Sequence, residues 1–341
     1  MSGLLSRVAD NMYWFGRYAE RAENTARLIT VHTNLELDLP RTVTFGWEPL
    51  VAITGNDQIY RDVVGEYAES AVVHFLLAHA EHSGALLHSI ALARENLRTT
   101  RDVVPREVWE EITDLDLFAR ERLDAGLSRR GRHDYLQGIV GRCQRIAGLL
   151  SGTMSHDAAY EFVRLGRNLE RGDMTSRILD VRSEDLLADR EGQLSPYDSI
   201  QWMSLLKSLT AYQMYRRHVR SRVTAHDVLR FLLQDRDFPR ALQYCLTRIE
   251  GCLHRLPERE SPLRQVARVS RQVQQANVRQ LAADGAALNV YLDDLQLKLA
   301  ACHNAIHEAY FGNEALVPAE PAATPSQSQS QSQSQSQSQS S

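Results

Sequence analysis

Arginine and glutamate recur together at helical spacing near the start of this 341-residue chain, in Phe15-Gly16-Arg17-Tyr18-Ala19-Glu20-Arg21-Ala22-Glu23-Asn24-Thr25-Ala26-Arg27. At about 100° per residue, Arg17, Glu20, Arg21, Asn24 and Arg27 share one side of a helix, opposite an apolar stripe of Phe15, Ala19, Ala22, Ala26 and Ile29. A guanidinium grips a carboxylate or phosphate bidentately, as an ammonium cannot, and a neighbouring glutamate can hold an amine or move a proton. The array is thus equipped for anion binding, cation binding or acid–base work.

The same array returns at an offset of 150 residues, as Leu165-Gly166-Arg167-Asn168-Leu169-Glu170-Arg171-Gly172-Asp173-Met174-Thr175-Ser176-Arg177. Gly, Arg, Glu, Arg, Thr and Arg keep their places, while Tyr18 becomes Asn168 and Asn24 becomes Met174. A solvated face can drift so long as it stays polar, so retention of these types points to a buried or cleft-lining constellation. Glu20 and Glu170 are expected to face each other there, held by arginines. Two readings stay open. Either the charges form a satisfied network that fixes packing, or Glu20 and Glu170 are catalytic acid–base groups. In the latter case Arg17, Arg21, Asn24, Arg27, Arg167, Arg171 and Arg177 bind an anionic substrate.

Other residues are candidates for completing such a site. Arg216 prolongs a stripe of Leu205, Leu209 and Tyr212, so it is expected either to point inward toward Glu20 or Glu170 or to snorkel to a helix end. Arg94, Glu95 and Asn96, with Arg98 and Arg101, flank an apolar stripe of Leu86, Ile90, Ala93 and Leu97. They make either an anion-binding rim or a solvated basic edge. His303 with His307, and His79 with His82, have metal-compatible spacing but lack the H-E-x-x-H pattern. Without the carboxylate set of a ferritin-like centre, no metal is expected. No phosphate loop, dinucleotide fingerprint or nucleophile elbow occurs, so no cofactor is expected either.

The elements that carry these residues are helices. Leu, Ala, Arg and Glu recur at three- and four-residue spacing, with sparse Pro and Gly, up to about residue 317. Trp47, Leu50, Gln58, Tyr60 and Arg61 fall on Trp202, Leu205, Gln213, Tyr215 and Arg216 at an offset of 155. Phe75-Leu76-Leu77, Ala85-Leu86 and Tyr135-Leu136 fall on Phe231-Leu232-Leu233, Ala241-Leu242 and Tyr291-Leu292 at an offset of 156. Ordered blocks with a slowly growing offset read as a tandem duplication. The expected fold is all-α: a repeat over 1–154, a second over 155–317, and the two packed about a pseudo-twofold axis into one bundle. Each repeat reads as six helices, with Pro105 and Pro239 in first turns. From Pro318 to the end, a Pro/Ala stretch and a Ser-Gln alternation have nothing to bury and are expected to be disordered.

Composition narrows the setting. The chain is 43% hydrophobic and 24% charged, ordinary for a folded protein. A formal charge of −4 argues against nucleic acid as a partner. Neither a signal peptide nor an apolar run of spanning length appears, so a cytoplasmic protein without a membrane partner is expected. Cys143, Cys245, Cys252 and Cys302 form no C-x-x-C pair and read as buried small hydrophobes.

The run Leu5-Ser6-Arg7-Val8-Ala9-Asp10-Asn11-Met12-Tyr13-Trp14-Phe15-Gly16-Arg17-Tyr18-Ala19-Glu20-Arg21-Ala22-Glu23-Asn24 closely resembles the start of the bacterial alpha-E domain family. Further agreement comes from Ala93-Arg94-Glu95-Asn96, Leu165 through Arg171, Leu205 through Tyr212, Phe231-Leu232-Leu233 and Phe238-Pro239-Arg240. The resemblance implies an all-helical protein acting beside a circularly permuted ATP-grasp protein, and possibly a transglutaminase-like protein, in making or modifying a peptide through amide bonds. The ATP-grasp partner would activate a carboxylate, and this chain would be an accessory or co-catalytic component that binds the peptide or small carboxylate substrate or scaffolds the ligase. In one place the chain departs from the family pattern, with His79 standing where an acid often follows the first Phe-Leu-Leu.

Overall fold

A computed structural model describes residues 6–38, 46–187 and 198–312. Among them the chain is helical throughout, with no strand. The first eight helices are α1 (Ser6–Asp38), α2 (Glu48–Thr54), α3 (Asp57–Val63), α4 (Glu69–Ala78), α5 (Leu86–Arg98), α6 (Arg106–Glu121), α7 (Leu123–Leu127) and α8 (Arg132–Thr153). The next eight are α9 (Ala158–Leu187), α10 (Asp198–Ser208), α11 (Tyr212–His218), α12 (Ala225–Gln234), α13 (Leu242–His254), α14 (Glu260–Gln275), α15 (Val278–Ala283) and α16 (Gly285–Tyr310).

The two sets match in order and closely in length: α4 and α12 have 10 residues each, α5 and α13 have 13, α6 and α14 have 16. Each set holds two more helices than periodicity suggests. The helix expected around each tryptophan is broken in two, at Gly55 (φ 69°) and at Thr210 (φ 54°), both in the left-handed region that ends a helix. The other extra element is the short α7 or α15. Pro105 and Pro239 sit just ahead of α6 and α13 rather than inside their first turns.

The two long helices, α1 and α9, pack against each other at the centre. Around α1 stand α5 and α8, with α6 bridging those two; around α9 stand α13 and α16, with α14 bridging them. In addition α2 reaches across to α9, and α10 reaches across to α1. A helix enclosed in this way cannot keep a solvated side, and α1 buries Phe15, Ala22, Ala26 and Ile29 on its apolar stripe while also burying Arg17, Glu20, Glu23 and Asn24. The apolar core runs without interruption through all sixteen helices' contacts, from Met12 and Leu28 to Leu288 and Ile306. All four cysteines are buried and unpaired. No described helix is long and apolar enough to cross a membrane. The expected Ser-Gln tail lies outside the described residues.

Candidate functional site

The central helices meet at two glycines. A Cβ on Gly16 would overlap the Val163 carbonyl oxygen, and one on Gly166 would overlap the Tyr13 carbonyl oxygen. Glycine inside a helix costs roughly 0.5–1 kcal/mol relative to alanine. What offsets it here is a backbone approach no larger residue permits. One turn further along each helix, that approach brings Glu20 and Glu170 within reach of the opposite helix's arginines.

Glu170 accepts from Arg17 Nε at 2.7 Å, Arg21 Nε at 2.6 Å and Arg21 Nη2 at 3.1 Å. Glu20 accepts from Arg171 Nε at 2.9 Å and Nη2 at 2.7 Å, and from Arg167 Nε at 3.3 Å. Both carboxylates are 2% exposed, so arginines and not bulk water supply most of their solvation. Within each helix, Arg27 closes on Glu23 and Arg177 on Asp173, as the four-residue spacing predicts.

A seventh arginine, which no helical spacing marked, joins this cluster. Arg240, in the α12–α13 connection, reaches Glu20 at 3.0 Å, Asn24 Oδ1 at 2.5 Å and Glu23 at 3.1 Å, and is 7% exposed. Its own carbonyl accepts from Thr175 Oγ1 at 3.0 Å, which fixes the loop on α9. A loop residue has no periodicity to reveal it. The signal was Arg240-Ala241-Leu242 standing over Gly84-Ala85-Leu86, an arginine opposed by a glycine next to a matched pair.

Electrostatics follow from this enclosure. Burial alone pushes the Glu170 pKa up, but Arg21 and Arg17 outweigh it and leave the carboxyl at about 2. Burial acts on Glu20 likewise, and Arg171, Arg240 and Arg167 hold it further below the usual carboxylate range. Both glutamates are therefore ionised at neutral pH with their oxygens occupied, a poor state for a group that must give up or collect a proton. On the flank of the cluster, Tyr13 Oη lies 2.8 Å from His303 Nδ1; burial raises that tyrosine to about 12 and lowers that histidine to about 4.

The remaining candidates do not join the cluster. Arg216 does not point inward: the apolar stripe that suggested it is cut at Thr210, leaving Arg216 in the last turn of the short α11. There it donates to the Ser221 carbonyl at 2.6 Å. Tyr212 begins α11 and packs part-buried on the core. Arg94 lies over the Trp109 ring, 4.0 Å from Asp116, while Glu95 is paired with Arg98 on the surface. The Asn96 carbonyl takes the Thr100 hydroxyl at 2.8 Å. This set belongs to the α5–α6 face. Among the described residues no group of three or more His, Cys, Asp or Glu side chains is placed to hold a metal. At the family departure, His79 Nδ1 accepts from the Glu81 amide at 3.3 Å as Asp235 accepts from Asp237, so the loop-holding bond survives the change.

An all-helical protein centred on two clamped Glu–Arg helices is thereby defined, and its family can be stated. The chain belongs to the alpha-E family, described as a predicted alpha-helical domain with a conserved ER motif, which matches residues 4–311. Glu20-Arg21 and Glu170-Arg171 are pairs of that kind. Uncharacterised proteins of Mycobacterium bovis and Mycobacterium tuberculosis are 24% identical over 322 residues, covering 88% of this chain and 35% of their own length. The chain thus spans about a third of the curated relatives it matches. No solved structure matches it.

Proposed function

We propose that this protein is a non-catalytic, substrate-binding or scaffolding partner of an ATP-grasp amide ligase that makes or modifies a peptide, working in the cytoplasm. Its two charged helices are the copies of a duplicated unit, packed about a pseudo-twofold axis, and their Glu–Arg pairs lock the copies together. The observation that carries this reading is the clamping of Glu20 and Glu170, each gripped and held ionised by arginines of the opposite helix. Reciprocal contacts support the duplication: Gly16 on Val163 mirrors Gly166 on Tyr13, and Asn11 with Thr99 occupies the place of Glu161 with Arg255. The ligase context is what the resemblance to the family implies, and the greater length of the mycobacterial relatives suits a unit that acts beside a second activity.

Co-expression with a circularly permuted ATP-grasp protein tests the reading. A stoichiometric complex, with ATP turnover by the partner changed about tenfold when this chain is omitted, is the expected result. Absence of both association and effect would overturn it. The competing acid–base reading predicts that Glu20→Gln and Glu170→Gln abolish turnover at unchanged stability.

A further inference from the structure

The place of Arg240 in the second half of the chain is empty in the first. Gly84 stands opposite it at the 156-residue offset, and the surroundings correspond as well. His82 stacks on Phe75, ring centroids 4.5 Å apart, where Phe238 stacks on Phe231 at 5.0 Å. Beside Gly84, where the side chain of Arg240 would have its counterpart, lies a pocket of about 160 Å³. That is several times the ~30 Å³ share of a water molecule. It is bounded by α1, α9, the α2–α3 turn and the α4–α5 connection. Glu170, Asp173, Thr25, His82 and Gly84 line it, with Arg21 and Arg177 at its sides.

We infer that this pocket binds a guanidinium group, the side chain of an arginine on a bound peptide. The correspondence between the halves carries the site. The peptide as source of the arginine rests on the functional reading above.

The molecule already solves the same recognition problem once. Arg240 is held by Glu20, Glu23 and Asn24, and it lies within the fields of Arg171 and Arg27. The pocket offers Glu170 and Asp173 in place of Glu20 and Glu23, with Arg21 and Arg177 in place of Arg171 and Arg27, and Met174 in place of Asn24, whose acceptor is lost. A set of charges that accommodates the buried Arg240 on one side is reproduced on the other with no counterpart of Arg240. Glu20 has three arginine partners and Glu170 two.

His82 is 1% exposed, and neither Nδ1 nor Nε2 has a hydrogen-bond partner. As a plain substitute for the phenyl of Phe238 it leaves buried polar atoms unpaired, which is destabilising. A ligand N–H in the pocket supplies a donor for the bare nitrogen of the neutral ring. Burial, reinforced by Arg21, keeps that ring neutral near pH 7, so it is an acceptor and not a competing cation. Glu170, Asp173 and His82 together present the acceptors that a planar, five-donor fork requires.

The experiment uses the purified full chain without any ligase, so its failure is separable from failure of the ligase reading. N-acetyl-arginine amide is titrated by calorimetry and by NMR of the His82 ring. The neutral N-acetyl-citrulline amide and acetate are titrated in parallel. Saturable one-site binding of the arginine compound, about tenfold or more tighter than citrulline, with the His82 signals shifting, is expected. An arginine-containing tripeptide should bind tighter still. Gly84→Arg, whose position is outside the left-handed region, supplies the missing guanidinium from the chain itself and should abolish binding. Asp173→Asn should weaken it about tenfold, and decides the matter if Gly84→Arg does not fold. Equal binding of citrulline, preference for acetate, or full binding by folded Gly84→Arg would overturn the site. A tripeptide no better than the blocked residue would overturn the peptide as source.

Discussion

Arg171 closes on Glu20 through two bonds, Nε to Oε1 at 2.9 Å and Nη2 to Oε2 at 2.7 Å, from the opposite central helix. Neighbours in sequence on a helix point about 100° apart and do not face each other. A Glu-Arg dipeptide therefore cannot pair with itself. It becomes a clamp only when a second helix presents the complementary pair, with Glu20 taking Arg171 and Glu170 taking Arg21. Two such helices make four matched groups from two copies of one motif.

Removing one partner of a buried ion pair strands the other, at roughly 3–5 kcal/mol. Glu20→Gln should therefore be strongly destabilising in urea unfolding. Glu170→Gln should be less so, because Glu20 has three arginine partners to strand and Glu170 two. A Glu20→Ala/Arg171→Ala cycle should show a coupling above about 1 kcal/mol. Losses below about 1 kcal/mol for Glu20→Gln, or the reverse order, would show that the clamp does not hold the helices.

Gly16→Ala and Gly166→Ala add one methyl group each, yet that methyl meets a backbone carbonyl and not a side chain that can turn aside. Overpacking commonly costs about 1–3 kcal/mol, and a rigid obstacle puts these two at or above the upper end. By contrast Gly148→Ala, with open space around its Cβ inside α8, should gain roughly 0.5–1 kcal/mol from helix propensity. Thermal melts of the three variants check the sign of each.

The helical class, the order of elements and the pairing of the two charged segments were all legible in the sequence, because periodicity and an internal offset survive without knowledge of the fold. Glu23 with Arg27 could be read from spacing alone. Arg216 could not. Its stripe with Leu205, Leu209 and Tyr212 is real on paper, but Thr210 at φ 54° breaks the helix between them, and no glycine or proline marks the break. Arg240 and Gly84 stayed hidden for a different reason: they lie in connections, where position depends on how the loop is pinned rather than on a repeat. Whether the charged faces were sealed or open likewise depended on α5, α8, α13 and α16, whose packing around α1 and α9 no local pattern records.

Stability should fall on acidification in two stages. A group whose folded pKa is depressed contributes stability above its unfolded value and loses it as pH falls toward the folded value. His82 and His303, each at about 4 against an ordinary 6.5, begin the decline below pH 6.5. Glu170, at about 2 against 4.5, steepens it below about pH 5 and accounts for about 3 kcal/mol across its window. Urea midpoints between pH 7.5 and 3 should show both slopes. A flat profile down to pH 4 would contradict the first, and its persistence below pH 4 the second.

His82→Phe separates stability from ligand recognition at one residue. The substitution installs the ring that Phe238 already provides beside Phe231, in a slot that stacks an aromatic at 4.5 Å. It removes two unpaired buried nitrogens. The melting temperature should rise, by the few degrees that about 1–2 kcal/mol gives a chain of this size. The first stage of the acid decline should shrink with it, since one of its two histidines is gone. Binding of N-acetyl-arginine amide should fall at the same time, because the ring no longer accepts from the guanidinium. A stabilising change that costs recognition is the mark of a residue kept for its ligand. Loss of stability on His82→Phe would mean that the imidazole is bonded in the free protein and is not held open for a ligand.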